Sequence, residues 1–325
     1  MSAAGGKGAT PADGVRSQIA PAAVVDLLGA SALWGGMYVV SSATFQRIPP
    51  VTLAALRILV GAVVLVVVFR GRLRFSRTSA RRVVAAGAVV AVTIVLQFVG
   101  TSLTTGAEGA LLTTTTPAFV LLFGVLLERQ RVRSIAWAGI GVALAGVALI
   151  AFRHGGIVGP SLDPNLLALS TPSIGPFFGS FVGDLMLVAS AASWALFSSV
   201  GRPLVAEVGA FRAISQASCV AAVLLLPLVP LELAGHPMPP LDLPGLAAVV
   251  YLGVGSTAVA WSLWYRGYAA SHATVAAAAF FAQPVIGATL GVLALGEVID
   301  PSFVGGFVLI GAGVMVMTLG GRPDR

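Results

Sequence analysis

The chain has 325 residues, of which 57% are hydrophobic and only 10% are charged. A soluble domain of this length carries about 25% charged residues, because its surface faces water. The composition therefore excludes a soluble protein and predicts one whose surface faces lipid. The formal net charge of +7 does not indicate nucleic-acid binding, because the basic residues lie between apolar runs.

Ten apolar runs are long enough to cross a bilayer, since a helix needs roughly 20 residues to span a hydrocarbon core about 30 Å thick. The sequence thus predicts an all-α integral membrane protein with ten transmembrane helices. Arg57 interrupts the second run, and the seventh ends at Pro227 and Pro230. The predicted spans are 22–45, 51–69, 83–104, 108–127, 135–152, 182–201, 212–234, 245–267, 272–295 and 302–320.

The placement of basic residues predicts the orientation. Of the 19 basic residues, all but Arg47, Arg57 and Arg153 fall on one side of the ten-span arrangement. Lys and Arg are enriched in cytoplasmic loops, so both termini are predicted to be cytoplasmic. Every basic residue except Lys7 is an arginine, and Ala, Gly and Val are abundant. This usage is typical of a high-GC bacterial genome, and we expect a multi-pass protein of the bacterial inner (plasma) membrane.

An internal repeat divides the chain. A shift of 167 positions places Gly100 on Gly267, Pro117 on Pro284 and the third-to-fifth spans on the eighth-to-tenth. Each half has an odd number of spans, so the halves are predicted to have inverted topology, as in many secondary transporters. The predicted organisation is a disordered cytoplasmic tail at 1–21, a first five-helix repeat at 22–152, an external Gly/Pro/Ser-rich linker at 153–181, a second repeat at 182–320 and a cytoplasmic tail at 321–325.

Short motifs recur in a fixed order along both halves. They are Leu33-Trp34-Gly35-Gly36, Pro49-Pro50, Leu53-Ala54-Ala55-Leu56-Arg57, a mid-span proline followed by Glu128 or Glu297, and a closing Ala-Gly-Val. In this order the chain resembles the EamA-type branch of the drug/metabolite transporter superfamily. The first-half junction departs from its counterpart, because Glu128 follows its proline by fewer residues than Glu297 does. The resemblance implies efflux of amino acids, similar metabolites or drug-like compounds.

Ionisable residues within spans are costly and are therefore functional candidates. Arg57 either binds a carboxylate substrate or is a structural arginine near the outer interface, snorkelling or bonding helix-end carbonyls. The resemblance includes an arginine here whatever the substrate charge, which favours a structural or gating role. Glu108 is the candidate for proton coupling, or else a carboxylate at a helix N-terminus. The other acids are interpreted as structural: Asp26 and Asp184 as helix-start anchors, Glu128 and Glu297 as loop-facing junctions.

Two prolines lie at equivalent positions in the fourth and ninth spans. Pro117 follows four threonines and Pro284 follows Gln283. A proline frees a backbone carbonyl one turn back, and a pair of broken helices in the two halves points to a central substrate site. Pro117 and Pro284 are therefore given structural or gating roles. Threonines also pack between helices and bond their own backbone, so a binding role for each is one of two readings.

The candidate substrate-binding residues combine these polar groups with aromatic rings placed inside spans. Such rings can hold an apolar solute or a cation over the ring face, although aromatic belts also occur at membrane interfaces. The candidates are Trp34, Tyr38, Gln97, Thr113, Thr116, Trp194, Trp261 and Gln283.

The function predicted from these features is secondary transport by alternating access, energised by a proton gradient or by exchange. A phosphate-binding loop is missing from the sequence, which argues against ATP-driven pumping. The alternatives are a membrane-embedded enzyme, a non-transporting membrane receptor and a channel. The single cysteine and scattered histidines favour none of the metal chemistries of such enzymes. We therefore expect no enzymatic activity, cofactor or metal; the expected partners are a small-molecule substrate, the lipid bilayer and protons, with the oligomeric state left open.

Overall fold

The computed structural model describes residues 21–68, 79–129, 133–152, 176–271 and 273–320. All regular elements within these ranges are helical. The predicted tails, apart from Pro21, and residues 153–175 of the predicted linker lie outside the described residues. The last residues of that linker, 176–181, are instead helical and belong to the first helix of the second half.

The helices of the first half follow the predicted spans closely. They are α1 (Pro21–Thr44), α2 (Pro50–Val68), α3 (Ala80–Leu103), α4 (Gly106–Leu112), α5 (Thr116–Glu128) and α6 (Ser134–Ala151), with a 3-10 turn at Thr113–Thr115 between α4 and α5.

The second half contains more and shorter helical pieces. They are α7 (Pro176–Val200), α8 (Arg202–Val208), α9 (Ala210–Leu225), α10 (Leu228–Gly235), α11 (Leu243–Val250), α12 (Ala260–Ala269), α13 (Ala273–Phe280), α14 (Ala282–Leu290) and α15 (Pro301–Gly320). Two π-helical stretches, Tyr251–Val259 and Gly291–Leu295, join α11 to α12 and extend α14.

Eight helices in the described ranges are long and apolar enough to cross a membrane, or nine if α8 and α9 form one bent span. A shorter apolar helix, Pro301–Met317, comes in addition. Large apolar side chains such as Val68, Leu231 and Leu293 are exposed, as expected for surfaces that face lipid. The described part of the chain is thus all-helical and typical of a multi-pass membrane protein, and the count of ten spans stays a prediction.

The seventh predicted span, 212–234, is wrong as one continuous helix. α9 ends at Leu225, and α10 begins only after Pro227. Proline lacks the N–H of a helical hydrogen bond and clashes with the preceding turn, which explains the break. At its other end α9 follows Gly209, whose φ of +85° turns the chain by 118° from α8.

The breaks predicted from the two mid-span prolines are present. The 3-10 turn comes directly before Thr116 and Pro117, the first residues of α5. On the other side, α13 ends at Phe280, and Pro284 lies in the first turn of α14. Both interruptions lie about one turn before the proline.

Helices α6 and α15 cross at four glycines. A Cβ added at Gly139 would lie 2.6 Å from the carbonyl oxygen of Gly313, and one at Gly146 would lie 2.9 Å from that of Gly306. The shift of 167 positions pairs Gly139 with Gly306 and Gly146 with Gly313. Each contact is therefore the other with the halves exchanged, which is the pattern that a two-fold axis produces.

A second pair of contacts has the same reciprocity. A Cβ at Gly100 of α3 would lie 3.0 Å from the carbonyl oxygen of Gly183 in α7. A Cβ added at its counterpart Gly267, in α12, would lie 2.8 Å from the carbonyl oxygen of Ala23 in α1. Gly183 and Ala23 are related by the shift that aligns Trp194 with Trp34. The reciprocal relationship thus extends beyond one helix pair.

Polar contacts also join the halves at the helix ends. Arg266 donates two hydrogen bonds, of 2.7 and 2.6 Å, to Asp26, which anchors the start of α1 to the end of α12. The backbone N–H groups of Val51 and Thr52 donate to Glu232. Asp184 is not a helix-start anchor. The helix begins at Pro176, so Asp184 lies well within α7, and its side chain is buried in the protein.

Candidate functional site

A cavity lies among α1, α2, α3, α7 and α12, beside the two broken helices. Its empty volume is about 470 Å³, a figure that includes the part open to solvent. All eight predicted substrate-binding residues line this one cavity, as does Arg57. The full lining is Trp34, Met37, Tyr38, Arg57, Thr93, Ile94, Gln97, Thr113, Thr116, Ser190, Ala191, Trp194, Trp261, Phe280 and Gln283.

A chain of hydrogen bonds runs along the cavity wall. Arg57 Nη1 donates to Gln97 Oε1 at 3.0 Å, and Gln97 Nε2 donates to the Tyr38 hydroxyl at 2.6 Å. The Tyr38 and Thr113 hydroxyls are 2.7 Å apart, and Gln283 Nε2 donates to Thr113 Oγ1 at 3.0 Å. The chain connects α2, α3, α1, the 3-10 turn and α14, and thus residues of both halves.

Donor and acceptor counting gives this chain a direction. Thr113 donates its single hydroxyl hydrogen to the carbonyl oxygen of Gly109, at 2.7 Å, so it must accept from Tyr38. Arg57 can only donate, which fixes the orientation of the Gln97 amide. Each hydrogen bond in this chain is therefore donated in the same direction, from Arg57 to Gln97, from Gln97 to Tyr38 and from Tyr38 to Thr113.

The threonines beside Pro117 donate their hydroxyls to backbone carbonyls one turn back. Thr116 Oγ1 donates to the carbonyl oxygen of Thr113 at 2.7 Å, which is the carbonyl one turn before the proline. Gln283 Nε2 also donates to the carbonyl oxygen of Ala110, at 2.9 Å, from the opposite half. Gln283 thus links the second helix break to the backbone of the first.

Arg57 is enclosed at this site, with 2% of its surface exposed. Its Nε donates to the hydroxyl of Thr257 at 3.0 Å, and its guanidinium carbon lies 5.4 Å from the centre of the Phe98 ring. Snorkelling and bonding to helix-end carbonyls, both expected from the sequence, are therefore wrong. The partners of this arginine are side chains of neighbouring helices.

Aromatic rings form two groups around the cavity. Trp34 lies 5.2 Å from Trp264 and 5.8 Å from Phe280, measured between ring centres. Trp194 lies 5.8 Å from Trp261. The indole N–H of Trp34 donates to the carbonyl oxygen of Ser256 at 3.0 Å, which holds this ring in place from the other half.

The π-helix at Tyr251–Val259 carries contacts that sequence reasoning missed. It presents the Ser256 carbonyl to Trp34 and the Thr257 hydroxyl to Arg57. Thr257 in turn donates to the carbonyl oxygen of Leu252, five residues back. π-Helical turns occur frequently at functional sites. The available signal was the Ser256-Thr257 pair in the middle of an apolar span.

Two buried acids lie outside the cavity lining, at the start of α4. Glu108 forms a capping box with Thr105, as the helix-N-terminus interpretation predicts. Glu297 accepts hydrogen bonds from the N–H groups of Gly106 and Ala107, at 2.7 and 3.0 Å. Glu297 was expected to face a loop, and this is wrong, because only 6% of its surface is exposed. Its burial raises the pKa of this carboxyl, although the two backbone N–H groups oppose the shift.

The chemistry of the lining suits an organic solute. Arg57 is the only charged side chain among the residues that line the cavity, and the others are aromatic, apolar, hydroxyl or amide groups. In the part of the chain that the structure describes, no three His, Cys, Asp or Glu residues are grouped closely enough to hold a metal ion. Ligand sites of this kind are mostly apolar with a few placed polar groups.

Apolar helices long enough to span a membrane, with a polar and aromatic cavity between two halves, are features of the transporter class of membrane proteins. The model of the EamA-like transporter family matches the chain twice, over residues 22–152 and 181–319. These matches cover most of the sequence, and the chain belongs to this family.

Relatives with transporter names support the assignment. The uncharacterized transporter YetK of Bacillus subtilis is 24% identical over 93% of this chain and 88% of its own length. A probable terminal-alkyne amino-acid exporter of Streptantibioticus cattleyicolor is 28% identical over 66% of each chain. A protein of known crystal structure has the same fold, with a TM-score of 0.63 and 24% identity over 91% of this chain and 96% of that one.

Proposed function

We propose that this protein is a secondary transporter that exports a small organic molecule, such as an amino acid or a drug-like compound, across the bacterial inner membrane. The observation that carries the proposal is the cavity between the two halves, which are joined beside it by hydrogen bonds from one half to the other. Gln283 binds Thr113, Thr257 binds Arg57, and Trp34 binds the Ser256 carbonyl. Rearrangement of the halves breaks and remakes these contacts.

Alternating access between two inverted five-helix repeats is the proposed mechanism. The reciprocal glycine contacts and the double family match support two related halves. Inverted repeats place the substrate site at their interface, beside discontinuous helices, and rocking exposes it to each side in turn. In this chain the interrupted helices at Pro117 and Pro284 border the cavity.

Export is supported by one relative, which is named as a probable amino-acid exporter. We extend the amino-acid class to this chain as a proposal. Proton coupling through Glu108 is part of it: the Glu108→Gln variant is expected to lose pH-driven flux. Unchanged pH dependence in that variant assigns Glu108 to the capping of α4 alone.

Counterflow in proteoliposomes tests the carrier function. Vesicles are loaded with one unlabelled compound from a panel of amino acids, organic cations and phosphorylated metabolites, and are challenged with the same compound labelled. Transient accumulation is expected for one class, with loss in Gln283→Leu and retention in Thr289→Val, on the exposed face of the same helix. Folded protein that accumulates none of these compounds contradicts the proposal.

A further inference from the structure

We propose that the cavity selects its solute through a carboxylate group, which binds directly to the guanidinium of Arg57. The substrate class is then a small carboxylate with an apolar or aromatic remainder, including zwitterionic amino acids and excluding organic cations that lack a carboxylate. The inference rests on the proposed carrier function and adds a specificity-determining residue to it.

The charge of Arg57 has no counter-charge within the described ranges. Its two hydrogen bonds go to neutral acceptors, the hydroxyl of Thr257 and the amide oxygen of Gln97. The ion pairs in the described part of the chain involve other arginines. A guanidinium has five N–H donors, and these bonds use two of them. Donor capacity is therefore left on a buried cation that lines the cavity.

An unpaired buried charge is costly, and the cost is greater within a bilayer. A carboxylate restores the missing partner, and its two oxygens match the planar fork of a guanidinium. The interaction is also well oriented before the solute arrives. Gln97 is held between Tyr38 and Arg57, and Phe98 lies beside the guanidinium, so the arginine is fixed on both sides.

The rest of the lining decides against a solute that carries only positive charge. The residues that line the cavity include no Asp or Glu, so an ammonium group finds no ion-pair partner there. Arg57 repels such a group, and ring faces alone compensate only part of this repulsion. The rings of Trp34, Trp194, Trp261 and Phe280 instead provide a wall for an apolar remainder.

Four compounds with the same phenyl ring separate the charge requirements. Phenylalanine and 3-phenylpropionate carry a carboxylate, whereas phenylalaninamide and phenethylamine do not. Binding to the purified full-length protein is followed by tryptophan fluorescence, because three tryptophans line the cavity, and transport is followed by counterflow. Both carboxylates are expected to bind at least about tenfold more tightly than the amide and the amine, as for a charge-assisted hydrogen bond.

Variants assign the preference to Arg57. Arg57→Gln is expected to remove the discrimination between the carboxylates and phenylalaninamide, whereas Arg57→Lys, which keeps the charge without the fork, retains part of it. Arg82→Gln is the charge-matched control, because Arg82 is exposed and pairs with Glu207 away from the cavity. If Arg57→Gln does not fold, the inference is tested by the partial loss of discrimination in Arg57→Lys and by the four compounds on the wild type.

The outcomes separate this inference from the carrier proposal. Equal binding of all four compounds, or of none, overturns carboxylate selection, and so does retained discrimination in folded Arg57→Gln. Counterflow of an amine in the wild type overturns it as well, yet supports a carrier. Carboxylate binding that depends on Arg57 without any counterflow supports the inference and counts against transport.

Discussion

Glu297 and Gly106, which are 191 positions apart in sequence, are joined by a hydrogen bond of 2.7 Å between a carboxylate oxygen and a backbone N–H. The second oxygen accepts from Ala107 at 3.0 Å. The first N–H groups of a helix have no partner within it, and a negative charge is favourable there. Glu297 thus ties the end of one broken helix to the start of the other.

We expect Glu297→Gln to lower the stability of the protein. The amide has one acceptor oxygen, so one of the two buried N–H groups loses its partner, at a cost of about 1–3 kcal/mol. Thermal unfolding in detergent measures the effect. Glu207→Gln is the control, since Glu207 belongs to an exposed ion pair; an equal midpoint for both variants contradicts the role of Glu297.

The stability difference between wild type and Glu297→Gln is expected to depend on pH. Burial raises the pKa of Glu297 above its ordinary value of 4.5. As pH rises from 4.5, the unfolded chain therefore loses its proton before the folded one. The wild type is most stable relative to the variant below 4.5, and this advantage decreases until the pH has passed the folded-state pKa. An advantage that grows over this range contradicts the raised pKa.

Trp34→Phe tests whether the indole N–H orients the cavity wall. Phenylalanine keeps an aromatic ring but cannot donate to the Ser256 carbonyl, so we expect solute affinity to fall by about 1 kcal/mol. The control variant Trp137→Phe should bind the solute like the wild type, because Trp137 is exposed on α6. Fluorescence titration of the wild type and of both variants measures the change in affinity. Equal affinities for the two variants contradict the prediction.

Gly139→Ala is expected to destabilise the α6–α15 crossing by about 1–3 kcal/mol, the usual cost of overpacking. The added methyl group meets backbone atoms of Gly313 and Met317, which cannot move without separating the helices. Gly313→Ala, on the other side of the same contact, should have a similar effect, because its Cβ would lie 2.6 Å from the carbonyl oxygen of Gly139. Gly141→Ala is the control, because a Cβ there meets no described atom within 4 Å. The unfolding midpoints of the three variants measure the effect. Equal midpoints for Gly139→Ala and Gly141→Ala contradict close packing of α6 against α15.

Cysteine labelling in intact cells tests the ten-span arrangement. Single cysteines replace Gln46, Arg81, Ala206 or Val298, all exposed, in a Cys219→Ala background. An impermeant maleimide is expected to label positions 46 and 298 directly and positions 81 and 206 only after permeabilisation. Labelling of all four from one side, or the opposite pattern, contradicts the predicted topology.

The sequence contains enough information to place most helices and to nominate the cavity residues. Hydropathy locates the spans because a bilayer requires long apolar helices. Polar side chains inside spans, such as Gln97 and Gln283, are candidates for the cavity lining because a polar group without a partner is costly in a bilayer. The prolines locate the helix breaks for a similar local reason.

Long-range pairing and local backbone insertions were not accessible in this way. The sequence predicts an interfacial Arg57 because the partners of this side chain, Gln97 and Thr257, lie 40 and 200 positions away. It predicts a loop-facing Glu297 because this residue follows a helix end. Gly296, with φ of +67°, reverses the chain and directs this carboxylate inward. The π-helical turns leave no periodic signal, since one wide turn hardly changes an apolar run.

Swapping the two halves converts the Gly139–Gly313 contact into the Gly146–Gly306 contact. This symmetry bears on how a chain with two related halves can evolve. A crossing that repeats itself when its two sides are swapped requires only one self-complementary surface. With the proposed inverted five-helix repeats, two separate copies of one polypeptide, inserted in opposite orientations, would make the same crossing before any fusion. Covalent connection of the halves would then guarantee a one-to-one ratio of the two orientations, and would leave each half free to acquire its own side chains around the cavity.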